Sequence, residues 1–243
     1  MTGPLPVHWE SAMRELRRAW GLFGPAPTTV SDWETAIEAM ASVMSRAKAA
    51  GGWRAGRADL LHTAGRGGDE LVHSNVLSWL LSPSARHGWG PAFLVDLVKE
   101  TWGVPLNGAD MASVRREVHR STNTRKRIAD VIVTAGGTRL VIENKVYSDE
   151  DDHQCEDLYR LWTASLDDGD LPEQVLFVLL SRHGRKPWSV DTVEADASWK
   201  GLRWEWVERW LRDNVHEIDS AVARSTVVQY IASLRPMTRS ARS

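Results

Sequence analysis

Cysteine is nearly absent from this chain: among 243 residues there is one, Cys155. An internal disulfide and a cysteine-rich metal centre are therefore excluded. Long apolar runs are missing as well. The longest, around residues 76–81 and 175–180, fall far short of the roughly 20 residues that cross a bilayer, so no membrane contact is expected. The opening residues 1–9 carry no basic segment followed by an apolar one, so no secretory signal is expected and a cytoplasmic location follows. Neither sign of charge dominates: 30 basic and 32 acidic side chains leave a net charge of −2. Any binding of nucleic acid must then come from local patches, not from overall basicity. Tyr and Phe are scarce at three each, and 13 Trp supply the aromatic bulk, chiefly as core anchors. Walker loop, G-x-S-x-G, Rossmann glycine fingerprint and H-E-x-x-H are all missing, which argues against the nucleotide-binding and zinc-hydrolase chemistries they serve.

What remains is ordinary globular composition, 42% hydrophobic and 26% charged, enough for one large domain or a domain with an appendage. Helical spacing over 9–20, and over 31–50 behind the capping box Ser31-Asp-Trp-Glu34, predicts an N-terminal helical extension over residues 1–50. A Gly- and Arg-rich connector follows at 51–68, then a main domain at 69–235. Helices are expected at 69–81, ended by Ser82-Pro83, and at 92–101. Strands are expected at 112–119, 128–134 and 138–146, a helix at 149–166, and a strand buried on both faces at 174–180. Helices close the chain at 202–212 and 218–234. Helices around a short block of strands make the fold α/β or α+β. The acidic run Asp149–Asp152 reads as capping for the helix it opens.

The chemistry concentrates in the stretch from Ile128 to Lys145. Two β-rich runs flank Gly136-Gly137, a pair suited to the positive φ of a two-residue turn. Counting outward from that turn, Ala135 faces Thr138, Val133 faces Leu140, Val131 faces Ile142 and Asp130 faces Glu143. Opposed residues project from one face with Cβ atoms about 4.5–5.5 Å apart. The period of two adds Lys145 to the face of Glu143 and turns Asn144 away. Two carboxylates and an ammonium so converge on an apolar hairpin. Adjacent buried carboxylates repel, and a divalent cation with hard oxygen ligands, Mg²⁺ or Mn²⁺, removes the conflict. The competing reading is a surface ion pair between Glu143 and Lys145 with Asp130 as a solvated neighbour.

Ile128-Ala-Asp130 followed by Val141-Ile-Glu143-Asn-Lys145 resembles the PD-(D/E)XK nuclease superfamily, in a bacterial restriction-endonuclease-like branch; Ala129 stands at the proline of the motif name. The resemblance implies a restriction-endonuclease-like mixed central sheet flanked by helices, with the acidic pair and the lysine on adjacent strands. Glu70-Leu-Val-His73-Ser74, with Leu77, Leu80-Leu81, Pro83 and His87-Gly88, is similar to the upstream helix of that branch, which brings a glutamate to the metal. Glu70 is thereby a third candidate ligand, and equally a helix N-terminal acid favoured by the macrodipole. His73 is a further candidate on the same helix face, or a histidine satisfied within the fold. Gln154 matches a glutamine often found on the next helix of these nucleases, and equally reads as a solvated helix position; where a tyrosine follows one turn later in the branch, Leu158 stands here and Tyr159 lies one further on. Glu117, in Arg115-Arg-Glu-Val-His119, is a further acidic candidate or a sheet-edge charge.

Two basic clusters, Arg115, Arg116, Arg125, Lys126 and Arg127, and then Arg182, Arg185 and Lys186, are candidates for phosphate contacts or are solvated loops. Together these readings predict a metal-dependent endonuclease that hydrolyses phosphodiester bonds, with DNA the expected substrate and RNA the third reading. From the resemblance, its setting would be restriction, anti-phage defence or repair. The other class of reading is a catalytically silent nuclease fold that binds nucleic acid or a partner protein. The N-terminal helices are candidates for a homodimer interface, a partner dock or a DNA clamp, and their amphipathic pattern equally fits packing against the core.

Overall fold

The structure is a computed structural model that describes residues 30–49, 59–122, 125–164 and 172–239. The helix expected at 9–20 and the first part of the connector lie outside them. The chain divides into two compact units, residues 1–56 and 57–243. In the first, helix α1 spans Val30–Ala49; it is already helical at Val30, ahead of the cap expected at Ser31.

The second unit opens with α2 (Leu60–Thr63), a single turn capped by the Asp59 carboxylate. Helix α3 (Glu70–Leu81) starts from Asp69, whose side chain accepts from the Val72 N–H. Helix α4 (Ala92–Trp102) ends at Gly103, where φ is 67°. Three antiparallel strands follow: β1 (Ser113–Ser121), β2 (Lys126–Ala135) and β3 (Thr138–Asn144). Helix α5 (Gln154–Thr163) crosses to β4 (Gln174–Ser181), and α6 (Val193–Ser198) leads to β5 (Trp199–Arg203). Helices α7 (Trp204–Asn214) and α8 (Ala221–Arg239) complete the described chain. No helix among the described residues is long and apolar enough to cross a membrane.

The five strands lie in the order β1-β2-β3-β4-β5, with β3, β4 and β5 parallel. This is the mixed, helix-flanked sheet that the sequence implied. Strand β4 explains the layering, because it is buried on both faces. Leu176, Val178 and Leu180 face a core built by α3, α4, α7 and α8, while Phe177 and Leu179 meet Leu158, Leu161 and Trp162 of α5. At about 1.5–3 kcal/mol per fully buried large apolar side chain, these two cores anchor the sheet ends that carry the polar groups.

Two expectations need correcting. The helix expected from Leu202 gives way to strand β5 before α7 begins. Five residues are too few for a period to register, and Gly201 marks the spot. A Cβ there would overlap the backbone carbonyl oxygens of Gly184 and Arg185, so the strand runs against that loop only without a side chain. Gly201→Ala is expected to cost about 1–3 kcal/mol by this overpacking, read as a lower urea midpoint; an unchanged midpoint would show that the loop yields freely. The acidic run 149–152 is also not a cap. Helix α5 begins at Gln154, after His153 at φ 57° with no side-chain cap bond, and Glu150 is buried.

Candidate active site

The β2–β3 hairpin has the expected register: Ala135 opposes Thr138, Val133 opposes Leu140 and Val131 opposes Ile142. Gly136 takes a φ of 53° at the turn. One step further, where Asp130 and Glu143 would pair, the ladder stops. There the Asn144 N–H donates to Asp130 Oδ2 at 2.8 Å, so a side chain replaces the strand carbonyl as acceptor. Alternation breaks at the same place. Val131 and Val133 face the first core, whereas Ala129 joins Ile132 in the second. On β1, Val114 packs on the first core and Val118 on the second, with Glu117 between them at φ 48°. A left-handed non-glycine residue costs roughly 1–2 kcal/mol, and such strain is concentrated where function demands a particular side-chain placement. Glu117 itself is exposed, and its charge is felt by Asp130.

Glu143, next to last in β3, is only 3% exposed. Gln154, the first residue of α5, donates from Nε2 to Glu143 Oε1 at 2.5 Å. Lys145 Nζ lies 3.7 Å from the same oxygen. Glu143 Oε2 is buried with no hydrogen-bond partner. Burial pushes the Glu143 pKa well above the usual carboxylate range, and the neighbouring Asp130 pushes it further while Lys145 opposes. Asp130 is pushed up to about 6, first by burial, against the pull of the Asn144 N–H and Lys145. Two carboxylates that resist ionisation, one with an unpartnered buried oxygen, form a donor set that fits a hard divalent cation.

Glu70 stands off from that pair. Among the described residues no three Asp, Glu, His or Cys side chains group as a metal site. Glu70 Oε1 instead accepts from the N–H of Val146 at 2.8 Å and from the Ser148 N–H and hydroxyl at 3.3 and 2.6 Å. Its charge still reaches the pair, raising the pKa of both acids.

His73 needs correcting more firmly. It is fully buried against Trp204, its Nε2 lies 3.1 Å from the Gly67 carbonyl and its Nδ1 lies 2.9 Å from the Tyr230 hydroxyl. With both nitrogens used, and burial lowering its pKa, it is a satisfied core histidine. Cys155 is buried too, which pushes its thiol up and leaves it inert.

The basic clusters separate into free and committed groups. Arg125 and Arg127 both grip Asp157 of α5, at 2.8 and 3.0 Å. Lys186 Nζ binds the Asp196 carboxylate and carbonyl, each at 2.9 Å. These three tie elements together, which corrects their assignment to phosphate. Arg115 and Lys126 are exposed on β1 and β2, and Arg116 Nη1 lies 3.8 Å from Glu117 Oε2. Arg182 and Arg185 line a cleft of about 70 Å³ with Lys145, Tyr147 and Ser148. A larger apolar cavity of about 630 Å³, between α2, α3 and α8, contains none of the candidate residues.

Asn144, which the alternation turned away from the site, proves to be part of its frame. Besides its backbone bond to Asp130, its Nδ2 donates to the Glu70 carbonyl and to Ser74 Oγ, both at 3.1 Å, fastening β3 to α3. Its place between Glu143 and Lys145 was the only sign of this.

Comparison with known proteins gives a family and no individual relative. No curated protein and no solved structure matches the chain. The family model for the PD-(D/E)XK nuclease superfamily matches residues 58–232, a span that holds the mixed sheet, the acidic pair, Lys145 and Gln154. With more than two thirds of its length inside that match, the chain belongs to the PD-(D/E)XK nuclease superfamily.

Proposed function

We propose that this protein is a metal-dependent endonuclease that hydrolyses phosphodiester bonds of DNA, with restriction or anti-phage defence as its setting. What carries the reading is Glu143: a fully buried carboxylate with an unpartnered oxygen, beside Asp130 and 3.7 Å from the ammonium of Lys145. A retired site has no need to keep this costly cluster.

Asp130 and Glu143 would hold Mg²⁺ or Mn²⁺. Such an ion, when bound, polarises the scissile phosphate and lowers the pKa of the attacking water. The chain's own residues do the rest. Gln154 fixes Glu143 through Oε1, which leaves the buried Oε2 as the unpartnered oxygen. The Asn144 N–H fixes Asp130 through Oδ2. Lys145, 14% exposed, reaches from the core to the cleft, where its ammonium orients the water and offsets the charge that builds on the phosphate. Arg182, which lines that cleft, supplies a phosphate contact, and Arg185, paired at 3.5 Å with the exposed Asp149, adds a second where phosphate displaces that carboxylate.

The test is cleavage of plasmid DNA and of a structured RNA with Mg²⁺ or Mn²⁺, beside an EDTA control and Asp130→Ala. Wild type should cut DNA only with metal, and Asp130→Ala should lose at least roughly 10²-fold in rate. Cleavage confined to RNA would reassign the substrate. Equal rates for both proteins would refute the site, and the absence of any cleavage would favour a silent, nucleic-acid-binding fold.

A further inference from the structure

A half-exposed tyrosine stands two residues beyond Lys145. Tyr147 is 53% exposed, yet its ring is held. Its Cδ2 and Cε2 lie so close to Gly68 that a Cβ there would come within 2.9 Å. The guanidinium carbon of Arg182 sits 5.1 Å from the ring centroid. The backbone on both sides of Tyr147 is clasped by one carboxylate, because Glu70 accepts from the N–H groups of Val146 and Ser148. Burial raises the pKa of Glu70, but the Ser148 hydroxyl, these amides and Lys145 outweigh it, so the clasp is ionised at neutral pH.

A later loop is pinned in the same way. Glu150, 6% exposed, accepts from the N–H groups of Trp188 and Ser189 at 3.3 and 3.1 Å and from the Ser189 hydroxyl at 2.6 Å. Glu70 and Glu150, two carboxylates outside the acidic pair, therefore fix the backbone at 146–148 and at 188–189. Arg182 Nε is buried without a hydrogen-bond partner. Lys145, Arg182 and Arg185 line the cleft together with Asp149 and Glu150; Arg185 pairs with Asp149 at 3.5 Å and Glu150 is turned onto Ser189, which leaves Arg182 as the cation beside the ring. The cleft volume of about 70 Å³ suits an anion of phosphate size, with the aromatic ring beside it. About half of Tyr147 thus stays open to solvent although the contacts with Gly68 and Arg182 hold its ring in place.

We infer that Tyr147 and Arg182 form a nucleotide subsite beside the scissile phosphate: the Tyr147 ring stacks on an unpaired base, and Arg182 takes that nucleotide's phosphate. Aromatic rings accept any base this way, because every base has a π-face. A base inside a closed duplex has both faces covered, so the subsite takes a base from a single strand, or one unstacked from a duplex where it is cut. The inference rests on the nuclease reading only in naming which phosphate is cut.

The test is binding of the full-length chain in EDTA, by fluorescence anisotropy. The probes are a fluorescein-labelled DNA single strand, its RNA counterpart, the same DNA strand in a blunt duplex, and an abasic strand. Tyr147→Ala should weaken single-strand binding by roughly 5- to 150-fold, the effect of one lost base stack, and leave the duplex unaffected. Tyr147→Phe should bind as wild type. The abasic strand should not distinguish Tyr147→Ala from wild type. The DNA and RNA arms show which backbone the subsite prefers. Equal binding by Tyr147→Ala and wild type overturns the inference, as does a Phe variant as weak as Ala, or no single-strand binding by wild type. Binding in EDTA needs no cleavage, so the two readings fail separately. A stacking effect in a protein that never cuts refutes the nuclease alone. Cleavage by a protein whose binding ignores Tyr147 refutes the subsite alone.

Discussion

Lys145→Ala is expected to slow hydrolysis by roughly 10²–10³-fold, as loss of a preorganised electrostatic group typically does, with the loss in kcat and little change in KM. The Lys145 backbone N–H bonds to the Leu180 carbonyl at 2.8 Å, which carries the line of β3 one residue further along β4 and points the side chain toward Glu143. Because the ammonium sits 3.7 Å from a carboxylate oxygen at a nearly dry position, its field acts where the dielectric is low. One cation among several adds little to sequence-independent affinity, so KM should move least. A second readout separates chemistry from folding. Lys145 lowers the pKa of both Asp130 and Glu143. Its removal makes both harder to ionise, and the acid limb of the pH–rate profile should move to higher pH. A loss confined to KM, or an unshifted profile, would remove Lys145 from the reacting centre.

The central trio was legible because a diglycine turn sets a count. Once Gly136-Gly137 is the bend, alternation alone puts Asp130 opposite Glu143 and Lys145 beside it. The break in the ladder at that pair was not legible. It coincides with a left-handed φ of 48° at Glu117 on the neighbouring strand, which no glycine or asparagine announces. Charge runs were legible as charge but not as partners. Nothing local to Arg125 and Arg127 reveals that Asp157, about 30 positions on, takes both. Nor does the helix face of His73 reveal Tyr230, 157 residues away. Asp149–Asp152 looked like a cap because acids suit helix starts, whereas one of the four, Glu150, is drawn inside by three donors on a later loop. Short elements escaped as well: β5, at five residues, is defined by its neighbour β4 and not by a period of its own.

In the absence of divalent metal, Asp130→Asn is expected to make the protein more stable than wild type above about pH 7, by on the order of 3 kcal/mol. The folded-state pKa of Asp130 is raised from 3.8 to about 6. Between those values the folded protein keeps a proton that the unfolded chain has released. The folded state then binds more protons than the unfolded one, so wild-type stability falls as pH rises through this window and levels off above it. Below the unfolded pKa both states are protonated, and the advantage of the asparagine vanishes. Asparagine keeps an oxygen to accept from the Asn144 N–H while removing the buried charge. Glu143→Gln should behave alike with its window displaced to higher pH, because burial and Asp130 raise Glu143 well above its usual value. The two gains will not add, since each variant also removes the repulsion on the other acid. Mg²⁺ or Mn²⁺ should reverse the order, stabilising only the protein that binds it, by an amount set by its concentration relative to Kd. Urea midpoints taken in EDTA on either side of the window, and then with metal, measure all of this. If Asp130→Asn is the less stable protein in EDTA above pH 7, the carboxylate pair is satisfied by the protein itself and does not wait for a cation.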